Sequence, residues 1–184
     1  MSGFDKQVYF DAVRATLFNG SLSQQQVMGQ NFILREWRKR FGFEGDHRKL
    51  AYMLATTFHE CGRTMWPIME YGSQSYLTSK PYWPYIGRGF VQLTWFENYE
   101  KASPIVEEDL VEFPDLALQP DIAAIIMFDG MFVGWFTGKS LDDYFSDTIN
   151  DSFNARRVIN GTDCASEISG YHDLFLDAIA EATT

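Results

Sequence analysis

Two glutamates, Glu60 and Glu70, are the residues whose type and spacing point most directly to chemistry. Glu60 falls in the last turn of a helix predicted over residues 46–61, at the edge of its apolar stripe. The negative end of the helix dipole and the apolar neighbours both disfavour an ionised carboxyl, which suits a general acid. Glu70 follows in a segment without helical periodicity, from which it could project across a cleft. A glycoside hydrolase of the usual kind needs one protonated and one ionised carboxyl. The alternative is that Glu60 pairs with Arg63 and Glu70 is an ordinary surface residue.

None of the other candidate residues indicates a metal, thiol or phosphate site. His59 has no second histidine four residues later, as the zinc-protease helix requires, and the three histidines (His47, His59 and His172) stand at unrelated spacings. Cys61 and His172 would make a peptidase pair, but a helix C-terminus disfavours the thiolate of Cys61. The segment Gly87–Gly89 lacks the further glycine of a phosphate loop. We therefore expect no metal and no cofactor, and the two cysteines allow one disulfide at most.

Capping signals and helical periodicity define the elements that must position these glutamates. Ser23 followed by Gln26 is a capping box, Gly62 is a natural stop after a helix, and Pro120 suits the first turn of a very apolar, central helix. The predicted helices cover residues 4–18, a stretch from Ser23 to Phe41, 46–61, 122–135 and 165–182, with shorter ones near 141–145 and 153–158.

The helical period is lost between residues 64 and 95, which favours loops and a short hairpin. Alternation over Phe90–Trp95 predicts a strand that places Gln92 and Thr94 on the same face. A mainly helical domain with a small β-hairpin insertion and a cleft between two lobes is the lysozyme-like plan. We expect one domain over residues 1–184.

Several motifs occur in an order that resembles glycoside hydrolase family 19, the chitinase family that also contains bacteriophage endolysins. These motifs are His59–Gly62, Glu70–Gly72, Tyr85–Trp95, Asn98-Tyr99 and Arg156–Gly161. The opening, with Phe18–Gly20 and Ser23–Val27 before a Trp-bearing helix, is similar to that of the phage members.

The resemblance implies a role for each matching residue. Glu60 would be the general acid, Glu70 the general base, as in the short phage-type members, and Thr94 would help to hold the attacking water. Cys61 stands where the family usually has Ser or Thr. The substrate-binding positions would be His59, Arg88, Gln92, Asn98, Tyr99, Arg157 and Asn160.

Charge distribution makes a separate prediction. The formal net charge of -10 argues against a general nucleic-acid binder. Residues 1–100 hold 11 Lys/Arg and 9 Asp/Glu, whereas residues 101–184 hold 4 and 16. Since most motifs lie in the first part, beside the basic cluster Arg35–Arg40, we expect a neutral-to-basic cleft rim and an acidic back. No apolar run is long enough to insert into a bilayer, and no secretory signal is visible.

Together these observations predict an endolysin that cleaves the peptidoglycan glycan strand between N-acetylmuramic acid and N-acetylglucosamine by an inverting mechanism. Such an enzyme would be a monomer made in the host cytoplasm, and it would reach the wall from the periplasmic side after a holin opens the membrane. The alternatives are a chitinase, a non-catalytic glycan-binding virion module and a wall peptidase.

Overall fold

The computed structural model describes residues 3–183, and the chain there is mainly helical. The α-helices are α1 Lys6–Thr16, α2 Gln24–Phe41, α3 His47–Glu60, α4 Gln74–Thr78, α5 Phe96–Val106, α6 Pro120–Val133 and α7 Ala165–Ala182. Three 3₁₀ helices cover Pro114–Leu118, Leu141–Asp143 and Asn154–Val158. The two short strands are β1 Ile68–Met69 and β2 Arg88–Gly89. Among the helices described, none is long and apolar enough to cross a membrane.

The local signals in the sequence account for where the long helices begin. The Ser23 hydroxyl accepts from the Gln26 amide while the Gln26 side chain accepts from the Ser23 amide, which is the predicted capping box. Asp46 caps α3 by accepting from the Arg48 amide, and Pro120 occupies the first turn of α6. These three helix starts are confirmed, as are both ends predicted for α7.

Helix α3 is the element on which the site depends. Every residue from Leu50 to Phe58 is buried, because α7 and α2 pack against α3. After this buried stretch its last two residues, His59 and Glu60, are again partly accessible, so the helix carries a carboxyl from the core to the surface. Helix α6 is also largely buried and packs on α2 and α5.

The small β insertion differs from the predicted strand. Strands β1 and β2 pair antiparallel, with Ile68 opposite Gly89, and the segment between them contains the short helix α4, which the sequence analysis missed. The prediction of an alternating strand over residues 90–95 is wrong: the chain turns after Gly89, and Leu93 returns to pair with Arg88. Gln92 has a left-handed backbone, with φ of 54°.

The physical reason for this turn is that its apolar residues serve two separate cores. Phe90 and Val91 are buried in the main core with α3, whereas Leu93 is buried in a smaller core with residues of α5 and α6. An alternating strand would send Phe90 and Val91 to opposite faces. The turn instead buries them together and leaves Gln92 partly exposed between two buried neighbours.

Candidate active site

A cleft of about 320 Å³ opens where α3 ends, beside the turn of the β insertion and the start of α5. Its polar lining consists of Glu60, Gln92, Thr94, Asn98 and Asn160. Its aromatic and apolar lining consists of Tyr82, Val91, Trp95, Phe136 and Ile159. A wall that combines flat aromatic faces with amide and hydroxyl groups suits a sugar chain, which has apolar faces and a polar edge.

Glu60 is held in this cleft by an arginine. Its Oε1 accepts a hydrogen bond from Nη1 of Arg156 at 2.5 Å, and the two side chains are 16% and 4% exposed. Arg156 also donates from Nη2 to the Asp163 carboxylate at 3.2 Å. Burial disfavours the charged guanidinium, but the carboxylates of Glu60 and Asp163 outweigh it and raise the pKa of Arg156 above its ordinary value. Arg156 therefore stays cationic and fixes one oxygen of Glu60.

Arg157, and not Arg156, was the arginine predicted from the sequence. The structure places Arg157 on the surface, outside the cleft lining, with Nε donating to the Asn154 side chain at 3.4 Å. Both arginines lie in the 3₁₀ helix Asn154–Val158, in which successive side chains point about 120° apart. A shift of one residue thus exchanges a surface position for contact with Glu60. The sequence resemblance could not show which of the two arginines contacts Glu60.

Glu70 is fixed by two donors at the edge of the same site. Its Oε1 accepts from the Tyr82 hydroxyl at 3.0 Å and its Oε2 from the Gly87 amide at 3.1 Å. Partial burial and this hydrogen bond raise the pKa of Tyr82, so the phenol keeps the proton that it donates. Since Tyr82 itself lines the cleft beside Glu60, it links Glu70 to the site. Tyr82 was not among the predicted site residues.

Gln92, Thr94 and Asn98 meet in the cleft as the sequence analysis expected, although by a turn and not by a strand face. Gln92 donates to the Ile68 carbonyl at 3.0 Å, and Asn98 donates to the Thr94 carbonyl at 2.9 Å. The Thr94 hydroxyl donates to the Gln92 carbonyl at 2.8 Å, which leaves the lone pairs of its oxygen to accept from a water.

Three further predicted substrate-binding residues lie elsewhere. Arg88 is buried, donating to Asp115 at 2.8 Å and to the Tyr99 hydroxyl at 3.0 Å. Tyr99 is fully buried and donates to the Ile86 carbonyl at 2.7 Å. These two residues brace the loop that carries Gly87, so they support the site from behind. His59 lies outside the cleft lining although it directly precedes Glu60, whereas Asn160 is in the lining.

Trp95 is a further aromatic residue of the cleft that was not among the predicted site residues. Its side chain is 49% exposed, and its ring meets the Tyr82 ring edge-on at a centroid distance of 5.2 Å. Its backbone is left-handed, with φ of 75°, a conformation that costs a bulky residue free energy and is concentrated at functional sites. The aromatic content of 16% was the signal available, but it did not say which aromatic rings face solvent.

Cys61 and His172, the alternative peptidase pair, each have other hydrogen-bond partners. Cys61 is buried, with Sγ donating to the Gly89 and Phe90 carbonyls at 3.7 and 3.6 Å. Burial raises the pKa of the Cys61 thiol, which disfavours a nucleophilic thiolate. His172 is buried too, and its Nδ1 faces Asp173 at 2.9 Å. Cys61 and Cys164 are both free thiols.

The charge of the cleft is nearly neutral. Glu60 is the one charged side chain among the described residues that line it, and Arg156 lies directly behind. The basic cluster of α2 contributes nothing to this lining. Arg35 and Arg38 instead line a separate hollow between α2 and the start of the chain, and Arg40 pairs with Glu36 and Asp129.

Comparisons with known proteins point to chitinases. No family model matches the chain. It is 32% identical over 123 residues to a basic endochitinase of Vitis vinifera, covering 54% of this chain and 38% of that protein. It is 32% identical over 114 residues to chitinase 3 of Oryza sativa subsp. japonica, covering 50% of this chain and 34% of that protein. The matches thus span little more than a third of these relatives.

Solved structures give the same answer for the fold. Chitinase C from Streptomyces griseus HUT6037 superposes with a TM-score of 0.67 at 19% identity, over 100% of this chain and 79% of that one. A class IV chitinase of family GH19 from Zea mays superposes with a TM-score of 0.61 at 17% identity, over 99% and 100%. The predicted mainly helical, lysozyme-like fold and the resemblance to family 19 are confirmed. The endolysin type stays a prediction.

Proposed function

We propose that this chain, which has the fold of the family 19 chitinases, is a glycoside hydrolase that cleaves a β-1,4-linked glycan of N-acetylated hexosamines with inversion. The observation that carries the proposal is the arrangement of two carboxyls about one cleft. Glu60 lines it directly, and Glu70 is hydrogen bonded to Tyr82, which lines it too.

The two carboxyls take different roles because their surroundings differ. Glu60 protonates the leaving glycosidic oxygen, using the carboxyl oxygen that Arg156 does not hold. Glu70, whose two oxygens accept hydrogen bonds from Tyr82 and Gly87, takes the proton of a water that attacks from the opposite face of the sugar. Thr94 accepts from that water and positions it. An inverting enzyme places the two carboxyls roughly 6.5–9.5 Å apart, to leave room for the water.

Chitin is the substrate that has the better support. The similar proteins are named as chitinases, and the neutral, aromatic-lined cleft needs no anionic ligand. Trp95 and Tyr82 offer aromatic faces to the sugar rings, while Gln92, Asn98 and Asn160 reach its amide and hydroxyl groups.

Peptidoglycan is the second candidate. The interval of ten residues between Glu60 and Glu70 and the residues before α2 resemble the phage-type members of the family. In that case the enzyme would act on glycan strands of the wall from the periplasmic side, after synthesis in the host cytoplasm and release through a holin lesion.

Paired assays of one preparation separate these candidates. Chitin oligomers and purified sacculi are digested in parallel, and the anomer of the new reducing end is read by NMR before mutarotation. We expect the α-anomer from chitin oligomers and no turnover by Glu60→Gln, while Glu97→Gln, an exposed glutamate at the start of α5, retains full activity. Release of β-anomer would contradict the inverting mechanism. Turnover of sacculi alone would make peptidoglycan the substrate, and release of amines without reducing ends would make the chain a peptidase.

A further inference from the structure

Three residues with different ligand chemistry meet beside the end of α3, outside the cleft lining. An imidazole nitrogen of His59, the Cys164 sulfur and a carboxylate oxygen of Glu167 all lie within 4.8 Å of one another. They come from the last turn of α3, the residue before α7 and the first turn of α7. His59 and Cys164 are more than a hundred residues apart, so no sequence spacing indicates this cluster.

We propose that His59, Cys164 and Glu167 form a binding site for a divalent transition-metal ion of the zinc type. A tetrahedral zinc site has bonds of about 2.0–2.3 Å, so its ligand atoms lie roughly 3.3–3.6 Å apart. Contraction from a spread of at most 4.8 Å requires only small rotations, and Cys164 and Glu167 are exposed side chains. The set of thiolate, imidazole and one carboxylate selects zinc over magnesium or calcium, which prefer oxygen ligands. Three protein ligands leave the fourth position to water.

The surroundings orient the carboxylate as they do in established metal sites. The Tyr171 hydroxyl donates to Oε1 of Glu167 from one turn further along α7, and Nη2 of Arg63 holds that hydroxyl at 3.0 Å. Oε2 of Glu167 remains available to the metal. Hydrogen bonds of this kind to a ligating group fix its direction and strengthen binding.

The position of Cys164 also favours a ligand. It precedes α7 in a left-handed conformation, with φ of 55°, and its side chain makes no capping hydrogen bond to the helix. Ser, Asp or Asn would cap a helix better at this place. The thiol therefore contributes nothing to the helix and projects next to His59.

A bound ion would join two segments that also hold the Glu60 ion pair. His59 directly precedes Glu60, and Cys164 directly follows Asp163, the second partner of Arg156. The site would therefore tie the end of α3 to the start of α7. Since the ion binds the folded chain, a concentration of one hundred times its Kd should raise Tm by roughly 5–10 °C. This inference does not depend on the proposed glycosidase activity.

The test uses the full-length chain, freed of metal and kept reduced, titrated with Co²⁺ as a spectroscopic substitute for Zn²⁺. We expect one equivalent to give visible bands of a tetrahedral ion and a thiolate-to-cobalt charge-transfer band in the near ultraviolet, both abolished by Zn²⁺. Cys164→Ser should lose the charge-transfer band, and Glu167→Gln should bind at least about tenfold more weakly. Glu181→Gln changes another exposed glutamate of α7 and should bind as the parent does.

Three results would overturn the proposal. A charge-transfer band that persists in Cys164→Ser would assign the sulfur to Cys61. Equal weakening by Glu167→Gln and Glu181→Gln would indicate diffuse attraction to an acidic helix. A ratio of two chains to one ion would take the ligands from two molecules, and then the three residues of one chain would not be the site.

Discussion

Replacing Arg156 by Gln, with Arg157→Gln as the control, tests how the chain holds its candidate general acid. The two residues are neighbours of the same type and charge, yet only Arg156 is buried against Glu60. The sequence resemblance points to Arg157 and the structure to Arg156, so the pair of variants also distinguishes these two assignments.

The magnitude follows from burial. Removing one partner of a fully buried ion pair costs about 3–5 kcal/mol, whereas an exposed pair contributes roughly 0.2–1 kcal/mol. Arg156 is 4% exposed, but Glu60 is 16% exposed at the cleft and Asp163 is 58% exposed. We therefore expect Arg156→Gln to lower the free energy of unfolding by about 2–3 kcal/mol. For a chain of this length, Tm should then fall by about 4–12 °C, measured by calorimetry.

Activity should change in a characteristic direction. Arg156 holds one oxygen of Glu60 and so fixes the direction of the carboxyl, and kcat should therefore fall by roughly 10- to 100-fold in Arg156→Gln. Arg157→Gln should stay within about 0.5 kcal/mol of the parent in stability and keep its kcat. The double variant Glu60→Gln/Arg156→Gln leaves no unpaired buried charge, and should lose less stability than the two single variants added together.

Either of two results would contradict this role of Arg156. An unchanged kcat in Arg156→Gln would show that Arg156 does not position the candidate acid. A loss of stability or activity in Arg157→Gln equal to that of Arg156→Gln would remove the distinction that the structure draws.

Three other variants make narrower predictions. Gly87→Ala places a methyl group 2.7 Å from the Gln92 side-chain oxygen, and this side chain can move away. We therefore expect kcat/KM to fall several-fold while calorimetry gives a nearly unchanged Tm. An unchanged kcat/KM would mean that Gln92 does not bind substrate. Trp95→Ala should raise KM for chitin oligomers about tenfold, equivalent to ~1.4 kcal/mol. Trp83 is also exposed but lies outside the cleft lining, so Trp83→Ala should leave KM unchanged. Equal effects of the two variants would show that the Trp95 ring does not bind the sugar. Burial lowers the pKa of His172, so the unfolded chain binds its proton more readily and the free energy of unfolding should fall as the pH drops below about 6.5. Denaturant titrations of His172→Phe should show a weaker fall between pH 6.5 and 5, and a slope identical to that of the parent would exclude His172 as its source.

Local signals in the sequence were sufficient for the starts of α2, α3 and α6. The Ser23 capping box, the Asp46 cap and Pro120 each act within one turn of the chain, so no tertiary contact is needed to interpret them. Glu60 could be placed in the cleft for the same reason, because the end of α3 follows from its own periodicity and from Gly62.

The insertion could not be predicted in this way, since its shape depends on the cores that it joins. The pattern over Phe90–Trp95 fits a strand, but Val91 and Leu93 are buried in different cores and the chain must turn between them. Arg88 is another example, because the sequence does not distinguish a buried arginine that binds Asp115 from an exposed arginine that binds a sugar. Long-range burial decides between them.

The turn over Gly87–Leu93 both holds Glu70 and places Gln92 in the cleft lining. The Gly87 amide donates to Glu70, and Gln92, which has a left-handed backbone, is partly exposed between two buried neighbours. Leu93 closes the turn by exchanging backbone hydrogen bonds with Arg88, which Asp115 and Tyr99 hold in the smaller core. The candidate base, Glu70, and the Gln92 side chain are thus placed by one turn, while the candidate acid, Glu60, comes from α3 in the main core. A change that loosens the contact between the two cores should therefore alter the geometry between acid and base before it unfolds either part.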